Sequence, residues 1–225
     1  EKGISEFRNL QFSSDGSHLF FGVADRVKAE IKDTLLASEK VNLDIWHYRD
    51  EHLQSQQLVE LKETLKKNDL YSLDILSAEV HQINNDTLSL ILPNKNWNIN
   101  FVLGEVQKPY SIEAQWKMPT LTDYYRVNLL TGESILLQKP ALFQGDLSPS
   151  GRYFGFYNPT DQQFYLWDST FNTSKCITCQ AKNVVWQEDV NGQAQCPGPI
   201  SSIEFMKGED AVVLTSEYDI WEYII

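Results

Sequence analysis

The chain has no apolar run approaching the ~20 residues that cross a bilayer as a helix, so no membrane span is expected in it. It is also poor in positive charge: 19 Lys and Arg stand against 31 Asp and Glu, a formal net charge of -12 at pH 7. Nucleic-acid binding requires a basic surface that neutralises phosphates, and no Lys cluster here is extended, so nucleic acid is not an expected partner. The opening residues, Glu-Lys-Gly-Ile-Ser-Glu, contain no apolar signal region. An exported parent protein would carry its targeting segment outside this sequence.

Chemical motifs are equally scarce. The nucleophile elbow of an α/β-hydrolase needs Gly-x-Ser-x-Gly, and the only glycines four apart, Gly151 and Gly155, have Tyr153 between them. Ser148, in Leu-Ser-Pro-Ser-Gly, is explained by a hairpin turn. No Gly-rich phosphate loop, zincin helix or EF-hand loop occurs, so no cofactor is expected. The three cysteines are Cys176, Cys179 and Cys196. Without a second pair or a nearby His, Cys176-x-x-Cys179 is half a zinc site, which leaves a disulfide within the segment or three plain thiols.

His47 and His52 lie near Asp44, Asp50 and Glu51. His47 reads as part of a strand and His52 as lying beyond its end, so the pattern does not place them on one surface. Asp44, Asp168 and Asp219 recur around tryptophans, where strand-end hydrogen bonding accounts for them. Asn85-Asp86-Thr87 and Asn172-Thr173-Ser174 fit the glycosylation sequon, a pattern common by chance. No catalytic, cofactor-binding or metal-binding residue is therefore assigned.

What the sequence does have is aromatic residues, 27 Phe, Tyr and Trp among 225, many in short alternating runs that favour β-structure. Segment 10–23, Leu-Gln-Phe-Ser-Ser-Asp-Gly-Ser-His-Leu-Phe-Phe-Gly-Val, reads as a strand, a tight turn and a second strand. Segments 146–156 and 203–214 repeat that shape, and an apolar-aromatic strand follows each copy, at 43–48, 164–168 and 218–223. Asp15 and His18 stand beside serines in the first copy, but Ser150 and Tyr153 replace them in the second. The turn and the buried strand repeat; the polar pair does not.

Between these copies, 24–41 reads as a charged excursion and 56–67 as a helix or a strand extension, with Leu58, Leu61 and Leu65 at helical spacing. Segment 70–76 alternates as a half-buried strand, 78–103 reads as successive hairpins with turns at 84–86 and 93–96, and 124–137 as one more. Segment 109–119 reads as a loop, and 184–186 as a short strand.

Modules of roughly 40 to 60 residues built from short antiparallel strands predict a β-propeller. A β-sandwich explains the alternation but not the threefold recurrence of hairpin plus aromatic strand. The expected fold is all-β, a partial propeller of about four antiparallel sheets with one or two short helices in loops. Its units fall at 10–77, 78–137, 138–180 and 181–225, the last incomplete. A closed propeller would finish its last blade, so the parent is expected to continue past Ile225. Unpaired blade edges also invite self-association.

Five stretches, 12–22, 41–50, 53–57, 147–153 and 217–221, carry a family resemblance. The most specific is Asp44-Ile45-Trp46-His47-Tyr48-Arg49-Asp50 followed by Leu53-Gln54-Ser55-Gln56-Gln57. In order and over nearly the whole chain, they resemble the N-terminal β-propeller of secreted prolyl oligopeptidase family serine peptidases of the Bacteroidetes group. The chain departs from that pattern at 173–203, where a shorter, cysteine-bearing segment stands. The resemblance implies a periplasmic or secreted parent in which a C-terminal α/β-hydrolase domain holds the catalytic residues. It implies that the propeller restricts entry of peptide substrates and contributes to their selection. The chain itself is then not an enzyme; the alternative is a stand-alone periplasmic binding or scaffold propeller.

Overall fold

The computed structural model describes residues 2–26, 36, 39, 43–92 and 99–225. The expected excursion at 24–41 and the turn at 93–96 fall largely or wholly outside them.

Four antiparallel sheets follow one another along the chain. The first contains β1 (Lys2–Ile4), β2 (Gln11–Phe12), β3 (His18–Asp25), β4 (Asp69–Asp74) and β5 (Val80–Gln82). β1 and β2 pair with opposite ends of β3, so they act as one inner strand interrupted by residues 5–10. The second contains β6 (Ser89–Ile91), β7 (Phe101–Val106), β8 (Thr122–Asn128) and β9 (Ser134–Ala141). The third contains β10 (Asp146–Leu147), β11 (Tyr153–Asn158), β12 (Gln163–Asp168) and β13 (Thr173–Cys176). The fourth has β14 (Glu204–Phe205), β15 (Ala211–Thr215) and β16 (Ile220–Ile224), and among the described residues no strand pairs with the outer edge of β16.

The packing separates propeller from sandwich. A sandwich shares one core between two sheets, whereas here three cores alternate with four sheets. Phe20, Leu70 and Ile83 of the first sheet region meet Val102, Val127 and Leu129 of the second. Leu103, Tyr124 and Ala141 meet Phe154 and Trp167 of the third, and Tyr157 and Phe164 meet Val212 and Leu214 of the fourth. Adjacent Val102 and Leu103 serve different cores because successive strand side chains point to opposite faces. The chain is thus an all-β partial propeller, with each inner sheet buried on both faces.

The three hairpins repeat atom for atom. Ser13, Ser148 and Met206 donate backbone N–H to the carbonyls of His18, Tyr153 and Ala211, each at 2.9 Å. The residue three further on donates back: Gly16 to Ser13, Gly151 to Ser148 and Glu209 to Met206. This residue is left-handed in every copy, with φ of 68°, 73° and 58°. Glycine adopts that conformation without a Cβ clash; Glu209 does not, so Gly208 is one place out of phase with the other two glycines.

Several expectations are corrected. Segment 43–48 is not the third strand of the first unit; its residues are exposed coil, and β4 occupies that place in a six-pair register with β3. Only one segment can pair with the outer edge of β3, and Asp69–Asp74 does so while burying Leu70 and Ser72 completely. The connection between β3 and β4 therefore spans 26–68, including helix α1 (Gln54–Thr64). Val80–Gln82 pairs with β4, so the first sheet runs past the boundary expected at 77/78. Segment 184–186 forms no strand, but Trp186 is buried, its carbonyl accepting from Ile200 N–H at 2.9 Å. One expected alternative for the cysteines is met: Cys176 and Cys179 form a disulfide at the end of β13, and Cys196 is a free, partly exposed thiol.

Candidate functional site

The connections joining the second and third strands of each sheet differ greatly in length. They take four residues each, 159–162 and 216–219, in the last two sheets, but 26–68 and 107–121 in the first two. The two long connections meet: Gln115 Nε2 donates to the Asp50 carbonyl at 2.8 Å.

Helix α1 forms from residues of good helical propensity, and at its start Gln56 Oε1 accepts from Leu53 N–H at 2.9 Å. It buries none of its residues. Leu58 and Leu61 remain exposed, as do Ile45, Trp46 and Tyr48 before the helix. Trp46 and Tyr48, 67% and 80% exposed, are the kind of ring that binding surfaces hold ready for a partner.

The partner connection is pinned from below. Tyr110, in a 3-10 turn at Lys108–Tyr110, donates its hydroxyl to Asp123 Oδ1 at 2.6 Å. Asp123 is 1% exposed, and its other oxygen lies 3.1 Å from Lys139 Nζ. The hydrogen bond to Asp123 pushes the Tyr110 phenol up to about 12, which keeps it a neutral donor. A second 3-10 turn, Glu113–Gln115, then presents Gln115 to the helix-bearing connection.

Two cavities lie along this contact. A groove of about 270 Å³ is lined by Trp46, His47, Tyr48, Leu53 and Gln115 among others. A cleft of about 480 Å³ adjoins it through the shared residues His52 and Gln115, and Glu51, Glu60, Asp86 and Glu105 face it together with Lys67 and Lys108. Burial raises the Glu105 carboxyl above its ordinary range.

The two histidines stand otherwise than the sequence pattern predicts. His47 is not in a strand, and His47 and His52 line one groove. His47 Nδ1 accepts from Arg49 N–H at 3.2 Å, and His52 Nδ1 lies 3.6 Å from Glu60. Among the described residues no group of three or more His, Cys, Asp and Glu could hold a metal ion. Asp44 instead accepts from the Gln54 side chain.

No protein-family model matches the chain, and no curated protein does. Among solved structures, a crystal structure of TolB from Acinetobacter baumannii aligns with 12% identity and a TM-score of 0.34. The alignment covers 91% of this chain and 36% of that one. The fold assignment rests on the sheet order and the three interlocked cores.

Asp168 and Ser148, also singled out from the sequence, are held by hydrogen bonds within the sheets. Burial opposes ionisation of Asp168, but Arg152 at 3.0 Å and the Thr170 N–H hold its carboxyl below the usual range. Ser148, 2% exposed, accepts from Tyr153 N–H and donates to Glu209 Oε2 at 3.0 Å. Glu209 also accepts from Ser150 N–H and Oγ, tying the fourth-sheet turn to the third-sheet turn. Sequence reasoning passed over Glu105, Tyr110, Gln115 and Asp123; the available signal was a carboxylate at the head of the aromatic run Asp123-Tyr124-Tyr125.

Proposed function

We propose that this chain is a non-catalytic propeller module of a larger, exported serine peptidase of the prolyl oligopeptidase type. In this reading it gates peptide access to a separate α/β-hydrolase domain and contributes to peptide selection. The observation that carries it is the unequal rim: two long connections, with exposed aromatics and two adjoining cavities, gather over the first two sheets. Such a surface suits recognition, since binding residues concentrate on connections that a rigid scaffold positions. The disulfide Cys176–Cys179 supports an oxidising compartment. The ordered sequence resemblance supplies the family.

Purified chain is expected to leave proline-containing chromogenic peptides uncut and to resist labelling by a fluorophosphonate. The coding sequence past Ile225 is expected to contain Gly-x-Ser-x-Gly. Peptidase activity of the chain that titrates with the inhibitor would refute the non-catalytic part; a stop codon or a transmembrane helix there would refute the peptidase part.

A further inference from the structure

We propose that the rim groove at Trp46 and Tyr48 takes an apolar side chain of an extended peptide whose residue two places further on is Lys or Arg, seated in the adjoining acidic cleft. This rests on the peptide-selecting role proposed above and names the chemistry selected.

The apolar half follows from exposure. Trp46 and Tyr48 flank His47, with Leu53 closing the groove, and among the described residues no core cluster includes them. Arg49 lies over the Tyr48 ring at 5.2 Å, and the His47 ring is 4.8 Å from it, so the aromatic wall is partly ordered before anything binds.

The cationic half follows from charge and continuity. Four carboxylates, Glu51, Glu60, Asp86 and Glu105, face the cleft against Lys67 and Lys108. A peptide crossing from groove to cleft passes His52 and Gln115, which line both. Alternate residues of an extended peptide point to the same face and lie roughly 7 Å apart, so two such side chains can enter adjoining cavities. A chain of net charge -12 favours a positive ligand at long range as well.

The test is calorimetric titration of the full chain with acetylated, amidated pentapeptides: Ala-Phe-Ala-Lys-Ala, Ala-Phe-Ala-Glu-Ala and Ala-Ala-Ala-Lys-Ala. The first should bind, and each of the others should bind about tenfold or more weakly, as for loss of a main anchor. Trp46→Ala should weaken the first peptide about tenfold with its melting temperature unchanged. Glu51→Gln with Glu60→Gln should shrink the Lys-over-Glu preference and leave the Phe-over-Ala preference intact. The proposal is overturned by no binding of the first peptide, by equal binding of the Lys and Glu peptides, or by indifference to Trp46→Ala. It is also overturned if an added hydrolase domain occupies the Trp46 groove and excludes the peptide. Those results leave the peptidase-module reading standing, because the coding sequence past Ile225 decides that separately.

Discussion

Glu209 offers the sharpest test of the repeat. It holds the left-handed turn position, φ 58°, that Gly16 and Gly151 hold in the other copies, and its carboxylate accepts three hydrogen bonds from Ser148 and Ser150. A hydrogen bond to a charged acceptor contributes about 1.5 to 3 kcal/mol, and partial exposure places the whole clamp near about 2 kcal/mol. Glu209→Ala loses the clamp and keeps the strained backbone. Glu209→Gly loses the same bonds but escapes the strain, and is expected to be about 1 kcal/mol more stable than the alanine variant. For a chain of this size about 1 kcal/mol moves the melting temperature by roughly 2 to 4 °C. Scanning calorimetry should show a fall of about 4 to 8 °C for alanine and about half of that for glycine. Urea midpoints should follow the same order. An alanine variant as stable as the parent would refute the clamp, and a glycine variant less stable than alanine would refute the strained turn.

Asp15 is held at about 2, below its ordinary 3.8, chiefly by the Ser13 hydroxyl and then by the Ser17 N–H and hydroxyl. Its stabilising effect is therefore complete above pH about 4 and is lost as pH falls toward about 2; acid melting curves of Asp15→Asn should lack that component. Tyr110, raised to about 12, stabilises fully below its ordinary 10.0 and loses the effect as pH climbs through about 12. Ultraviolet titration of Tyr110→Phe should remove one late-ionising phenol, and protease should cut 107–121 faster than in the parent. Gly155→Ala places a Cβ 2.3 Å from Ile203 Cδ1 in the core between the third and fourth sheets, with an expected cost of about 1 to 3 kcal/mol in urea denaturation.

The hairpins were legible because their turns and strands are local. Ser-Ser-Asp-Gly and Ser-Pro-Ser-Gly dictate turns over four residues, and the strands after them carry their own alternation. In the third copy the glycine, Gly208, stands one residue before the turn position that Gly16 and Gly151 hold, and Glu209 occupies that position. The candidate groove was not legible. Leu43-Asp44-Ile45-Trp46 has the alternation of a strand, and nothing in those residues reports that β4 already fills the edge of β3.

By itself the sequence determined the class of the fold, the repeated hairpin, the missing hydrolase elbow and the acidic surface, because each is a property of nearby residues or of composition. The tertiary structure decided which segments pair, which faces are buried, and that Trp46, His52 and Gln115 share one rim. Strand pairing is a competition among distant segments for a single hydrogen-bonding edge, and its outcome depends on burial that only the assembled sheets define. The exposed aromatics of 43–48 are what that competition left outside the core.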